Sequence, residues 1–440
     1  MTNGEIDAGG GLNEEEVRRR HILPKALVVG IVAGLIASAF RLILNWSEDQ
    51  RMERMSHFHG IPALLLWMLL GALGGGLGLW MVRRLAPEAA GSGIPHLQMV
   101  VQGQKTLNWR RLLPVKFVAG VLGIGSGMTL GREGPTIQMG GASGLMVANW
   151  FRVKPGGGER KALISAGAGA GLAAAFNSPL AGLIFVLEEL QGNFTPVVFV
   201  AAFLASVSAD VVSRLLVGEK PVFDLEAVSS GSGAYELPFA LLLGLFAGGL
   251  GILFNRSLLG SLDGFDRFTK SKWLGGALAG MVAGIAGWYM PHLSGSGGAL
   301  ADQAIAGHIA IAVLPALLIA RFFLTMVCYG CGTAGGIFAP MLVIGALGGL
   351  LFGHGANHFF PGWIPHPETF AVLGMGALFT AVVRAPLTGI VLMVEMTGKY
   401  HFMLPLLVCC LAAYGVVEMT GCPPIYDALR RRSAALAPAT

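Results

Sequence analysis

The chain has 440 residues, of which 54% are hydrophobic and 12% charged, with a mean hydropathy of +0.66. A soluble domain carries about 25% charged residues, so the composition excludes a water-exposed surface to match this length and points to an integral membrane protein. A net charge of +5 is too small to suggest a nucleic-acid partner.

The first 20 residues are polar and acidic (Glu14, Glu15, Glu16), unlike a cleavable signal peptide. Arg18, Arg19, Arg20 and Lys25 flank the first apolar stretch, and Arg430, Arg431 and Arg432 follow the last. The positive-inside rule then places both ends in the cytoplasm and implies an even number of crossings; a solvated charge run without topological meaning is the alternative. His57 and His59 read as a surface HxH rather than a metal site. Ala63–Val82, Leu237–Phe254 and Trp273–Met290 are uncharged runs of the length that crosses about 30 Å of hydrocarbon. Phe322–Gly353 is also uncharged and long enough for more than one element. Cys328 and Cys331 have CxxC spacing without a second pair or histidine nearby, and they read, like Cys409, Cys410 and Cys422, as small apolar residues. No polar block is long enough for a soluble domain. The expected organisation is a cytoplasmic segment 1–24, a membrane repeat 25–217, a polar loop 218–236, a second membrane repeat 237–432 and a tail 433–440.

The repeat is read from four matches in order. Gly91-Ser92-Gly93 recurs as Gly295-Ser296-Gly297, and the Gly-x-x-x-Pro frame of 131–135 recurs at 336–340. Gly140 and Gly144 recur as Gly345 and Gly349, in a small-xxx-small spacing that lets helices approach closely in lipid. Pro179-Leu180-Ala181-Gly182-Leu183, ending at Glu188, recurs as Pro386-Leu387-Thr388-Gly389-Ile390, ending at Glu395. Two halves with Gly/Pro-broken apolar segments fit transporters whose broken helices meet near the bilayer midplane. The repeat alone leaves parallel and inverted halves open.

Three segments share one design: glycines, a polar or apolar pair, then a proline that opens a short helix. They are Gly91-Ser92-Gly93-Ile94-Pro95, Gly131-Arg132-Glu133-Gly134-Pro135 and Gly335-Gly336-Ile337-Phe338-Ala339-Pro340. Backbone N–H groups at a helix start, together with the helix dipole, form an anion site. Their partial charges hold an ion without the deep trap of a buried lysine, so the ion can leave again. Glu133 lies between glycines inside a membrane segment, where a carboxylate is expensive and usually functional. Loss of water disfavours its charge, whereas helix N-termini and Arg132 favour it. It reads as a tethered anion that occupies an anion site when ionised and leaves when protonated; a static Glu133–Arg132 ion pair is the alternative.

These motifs, in this order and with Tyr426 near the C-terminus, resemble those of the CLC chloride channel and transporter family over residues 25 to 432. The resemblance implies an all-α membrane fold of two inverted repeats with about 18 helices, many tilted or non-spanning, and a homodimer with one pathway per subunit. It implies that chloride is held by Ser92, Ile337, Phe338 and Tyr426, with Arg132 and Gly134 beside them, and that Glu133 is the gating glutamate and external proton site. In exchangers similar to this chain an acidic residue relays protons from the inside, and Glu189 falls on that position. Glu188, the repeat partner of Glu395, reads as structural. The implied function is chloride/proton exchange, with a passive voltage- or pH-gated chloride channel as the alternative. Ser92 in place of proline favours chloride over nitrate, although bromide or nitrate are possible passengers. The serine and tyrosine argue against fluoride export. His96 and Gln98 stand where similar bacterial exchangers often carry carboxylates near the equivalent of Lys116, which leaves that lysine's partner open. No cofactor, metal or nucleic acid is expected, and the absence of HExxH, P-loop and nucleophile-elbow motifs argues against an enzyme. The implied location is a bacterial inner membrane, without the cytoplasmic nucleotide-sensing domains of many eukaryotic members.

Overall fold

The structure is a computed structural model, which describes residues 14–57, 60–219, 222–223, 236–268, 271, 273–364 and 366–435. His59 of the HxH pair, the extreme N-terminus, most of the 218–236 loop and residues 436–440 lie outside the described residues.

Seventeen α-helices account for most of the described chain. The first half comprises α1 (Glu14–His57), α2 (Ile61–Leu85), α3 (Ile94–Val101), α4 (Trp109–Gly125), α5 (Glu133–Trp150), α6 (Gly158–Phe176), α7 (Pro179–Phe185) and α8 (Pro196–Val217). The second comprises α9 (Leu237–Phe268), α10 (Leu274–Tyr289), α11 (Gly298–Ile305), α12 (Leu314–Gly330), α13 (Phe338–Phe359), α14 (Thr369–Val383), α15 (Pro386–Thr397) and α16 (Met403–Met419). The amphipathic α17 (Ile425–Ala435) follows. Among the described residues, six helices are long and apolar enough to cross a membrane. At about 1.5 Å per residue, the eight-residue α3 and α11 reach only part of the way. The uncharged run 322–353 is divided between α12 and α13 by a break at Cys331–Ile337.

The two halves correspond element by element. Gly91 and Gly93 have φ of +59° and +80°, and Gly295 and Gly297 have φ of +72° and +83°, so the two Gly-Ser-Gly loops share one left-handed conformation. Gly140 packs α5 onto α6 and Gly345 packs α13 onto α14; a Cβ at either position would collide with the facing backbone, at Gly167 and Gly374 respectively. Close backbone approach of this kind replaces the hydrophobic effect, which is weak between helices in lipid.

The halves are inverted. Glu188, just after α7, accepts hydrogen bonds from the N–H groups of Leu387 (3.1 Å) and Thr388 (2.8 Å) and from the Thr388 hydroxyl (2.7 Å), at the start of α15. Glu395, in the last turns of α15, accepts from Leu180 (3.1 Å) and Ala181 (2.8 Å) at the start of α7. Each carboxylate thus caps the N-terminus of the other repeat's helix, where the dipole favours negative charge. Reciprocal capping requires α7 and α15 to run antiparallel. Two matched helices that run antiparallel within the membrane domain belong to inverted repeats, and Glu188 and Glu395 have the structural role expected of them.

α5, α6, α13 and α14 form the dry centre: the whole of α14 and nearly all of α5 and α6 are buried. α1, α2, α9 and α16 present one apolar face outward, with Leu35, Leu69, Leu253 and Leu411 exposed.

Candidate functional site

Three loops build the centre of the molecule. The Gly91 N–H donates to the Thr333 carbonyl (3.0 Å), and the Gly335 N–H donates to the Gly91 carbonyl (3.1 Å). Gly131 and Gly336 exchange both of their backbone hydrogen bonds, each 2.7 Å, in an isolated antiparallel bridge. α5 and α13 begin two residues beyond that bridge and leave it in opposite directions, so two helix N-termini face one another. The N–H groups of Ile337, the N-cap, and Phe338, the first residue of α13, precede the first turn and have no intrahelical acceptor.

The prolines depart from expectation in two of the three loops. Pro95 stands in the first turn of a short helix, but Pro135 and Pro340 are the third residues of helices of 18 and 22 residues. The third position tolerates proline for the same reason as the first, because its N–H would also lack an intrahelical partner.

Glu133, 1% exposed, turns its carboxylate toward α13, where Oε2 accepts a hydrogen bond from the Ala339 N–H at 3.2 Å. Its Oε1 lies 3.7 Å from Arg132 Nε, beyond hydrogen-bond distance, while Arg132 Nη1 donates to Asn45 Oδ1 at 2.9 Å. The direct partner of Glu133 is therefore a backbone amide of the opposite repeat, in preference to the neighbouring arginine. Gly134 packs against Ser92 so tightly that a Cβ would lie 2.9 Å from Ser92 Cα. The Phe338 ring is held between Phe176 and Phe379, with centroids at 5.3 and 4.7 Å, and keeps the neighbourhood apolar.

Ser92 and Tyr426 are 1% and 0% exposed, and neither the Ser92 Oγ nor the Tyr426 hydroxyl has a hydrogen-bond partner. Buried hydroxyls are normally satisfied, so both are free to serve a guest. Tyr426 stands within electrostatic range of both Glu133 and Glu189. Glu189 lies in a π-helical turn, Val186–Gln191, a local overwidening common at functional sites. Its Oε1 and its carbonyl both accept from Gln98 Nε2, at 2.9 and 3.1 Å.

Two cavities flank this centre. One, of about 390 Å³, is lined by Arg132, Glu133, Arg41, Asn45 and Ser296 among others. The other, of about 450 Å³, reaches Ser92 and is lined by His96, Lys105 and Arg432. Ser92, Glu133, Gly134, Ile337 and Phe338 are thus brought together, whereas the Arg132 side chain belongs to the Glu133 cavity alone. A larger cavity of about 700 Å³ lies elsewhere, against the leucines of α2.

The open partner of Lys116 is settled as backbone: its Nζ donates to the carbonyls of Ala89 (2.9 Å) and Gly91 (2.6 Å). Arg321, 205 residues on and also 0% exposed, donates to the carbonyls of Leu293 (2.6 Å), Gly295 (3.1 Å) and Ser296. Each buried cation therefore holds the carbonyls of its own repeat's Gly-Ser-Gly loop. Arg321 was missed in the sequence, although applying the repeat offset to Lys116 would have found it.

Inverted helical repeats, broken helices and facing N-termini at a buried carboxylate define a membrane transport protein of the secondary-transporter class. Residues 74–418 match the family model described as voltage gated chloride channel. The H(+)/Cl(-) exchange transporter ClcA of Yersinia pseudotuberculosis serotype IB is 41% identical over 424 residues, covering 94% of this chain and 88% of that protein. The ClcA of Vibrio parahaemolyticus is 40% identical over 420 residues, covering 94% and 90%. The crystal structure of a slow cyanobacterial Cl−/H+ antiporter superposes with a TM-score of 0.90 at 36% identity, over 98% of this chain and 100% of the other. A CLC-type fluoride/proton antiporter shares the fold, with a TM-score of 0.77 at 22% identity over 94% and 98%. The chain belongs to the voltage gated chloride channel (CLC) family.

Proposed function

We propose that the protein exchanges chloride for protons across a bacterial inner membrane, with both termini in the cytoplasm. The observation that carries this reading is the Glu133 carboxylate seated on the Ala339 N–H, in the place where an anion would meet the start of α13. Chloride enters from the cavity that reaches Ser92. It is held by the Ser92 and Tyr426 hydroxyls and by the N–H groups of Ile337 and Phe338, with the Gly134 backbone beside them. These donors carry no full charge, so the ion binds and leaves.

Glu133 competes with chloride for the α13 amides only while it is ionised. Protonation weakens its bond to Ala339 and frees it to turn into the Arg132-lined cavity, which opens the site to chloride. Return of the carboxylate expels the anion and releases the proton. Glu189, oriented by Gln98, receives protons from the other side and passes them toward Glu133 past Tyr426. The coupling is competition for one place, and both carboxylates are needed for it. A homodimer with one such pathway per subunit belongs to the same proposal. The relatives' names, H(+)/Cl(-) exchange transporter and Cl−/H+ antiporter, support exchange over a passive channel.

The test is proton movement into liposomes holding the purified protein, driven by a chloride gradient with voltage clamped by valinomycin and potassium. Uphill proton movement is the expected result; chloride flux without protons would make the protein a channel.

A further inference from the structure

Tyr329 takes no part in the chemistry above, yet its position is specific. It stands in the last full turn of α12, 4% exposed, and lines the cavity that reaches Ser92. Its hydroxyl lies over Gly91, where a Cβ would come within 3.0 Å of it; the φ of +59° at Gly91 favours glycine there in any case. The hydroxyl lies close to Ser92, and Tyr426 lies within electrostatic range of it. The unpaired Ser92 and Tyr426 hydroxyls therefore have a third hydroxyl beside them, on a residue that lines the same cavity as Ser92. A phenylalanine would fill the same volume against α12 and would spare the cost of drawing a phenol from bulk water. What the tyrosine adds is one O–H at the neck of the cavity.

We propose that the Tyr329 hydroxyl is a selectivity-determining donor at the inner neck of the anion path. It donates a hydrogen bond to a partly dehydrated anion as that anion passes between the cavity and the Ser92–Tyr426 site. This inference rests on the chloride pathway proposed above. A donor at the neck offsets lost hydration most for a small, strongly hydrated anion and least for a large, weakly hydrated one. Tyr329 therefore favours chloride over thiocyanate.

The experiment compares wild type with Tyr329→Phe in liposomes, measuring chloride and thiocyanate flux separately together with the chloride-to-proton ratio. One hydrogen bond to a partly hydrated anion corresponds to roughly a 3- to 10-fold drop in the chloride/thiocyanate flux ratio, with the chloride-to-proton ratio unchanged. Thermal stability of both proteins is measured alongside. An unchanged flux ratio overturns the proposal, whether or not stability falls, because a merely structural tyrosine would move stability alone. Wild-type liposomes that carry no chloride would overturn the pathway itself and the proposal with it. A selective drop in Tyr329→Phe supports both.

Discussion

Replacing Glu133 with alanine separates the two transported ions. The substitution removes a carboxylate that is 1% exposed and accepts the Ala339 N–H at 3.2 Å. A hydrogen bond to a charged group contributes about 1.5–3 kcal/mol, and the length of this one places it at the lower end. The Arg132 contact at 3.7 Å adds little. Chloride must displace that bond to reach the α13 amides, so without Glu133 its apparent affinity rises by about 1.5 kcal/mol, roughly tenfold. Calorimetric titration of the purified protein with chloride reads the affinity, and paired chloride and proton fluxes in liposomes read the coupling. The expected outcome is tighter chloride binding, preserved chloride flux and no proton movement. Glu133→Gln keeps the shape but cannot ionise, so it too stops protons and, like the protonated side chain, leaves the α13 amides to chloride. Proton pumping at the wild-type rate in Glu133→Ala would refute the tethered-anion argument.

Glu189→Gln preserves an oxygen for Gln98 but carries no proton; proton uptake stops while the calorimetric chloride isotherm stays as in wild type, and a changed isotherm would count against a pure relay role. Glu188→Ala removes three hydrogen bonds at the start of α15 and Glu395→Ala removes two at the start of α7. For these half-buried groups the losses are about 3 and about 2 kcal/mol, so thermal inactivation should fall first for Glu188→Ala; the reverse order would contradict the capping account. Glu236, ahead of α9 and 2% exposed with an unpartnered Oε2, is pushed up from 4.5 to about 6 by burial, against the pull of His366. The fold then binds this proton more tightly than the unfolded chain, so its contribution is complete below about pH 4.5 and is lost as pH rises through about 6. Glu236→Gln should raise thermal stability by about 2 kcal/mol at pH 8 and change it little at pH 4.5; equal effects at both pH values would show that ionisation is not the cause.

Hydropathy and covalent spacing are properties of consecutive residues, and what depends on them alone is legible in the sequence. The membrane setting, the apolar helices, the Gly-Ser-Gly repeat and the isolated Glu133 between glycines all follow from that local record. The lengths of α5 and α13 were less clear, because a proline in the first turn reads the same in a short helix as in a long one. The repeat by itself left the orientation of the halves open, since a repeated motif is the same string whichever way its helix points, and only the family resemblance implied inversion. The antiparallel bridge between Gly131 and Gly336 and the reciprocal caps of Glu188 and Glu395 decided it. The partner of Glu133 is 206 residues away, the donor to Glu189 is 91 residues away, and Lys116 found the backbone carbonyls of Ala89 and Gly91. Chemistry-bearing residues thus announced themselves in the sequence, but their partners did not. A hydrogen bond is set by where helices cross and how closely glycines let them approach, and only the tertiary structure brings those distant backbones to one point.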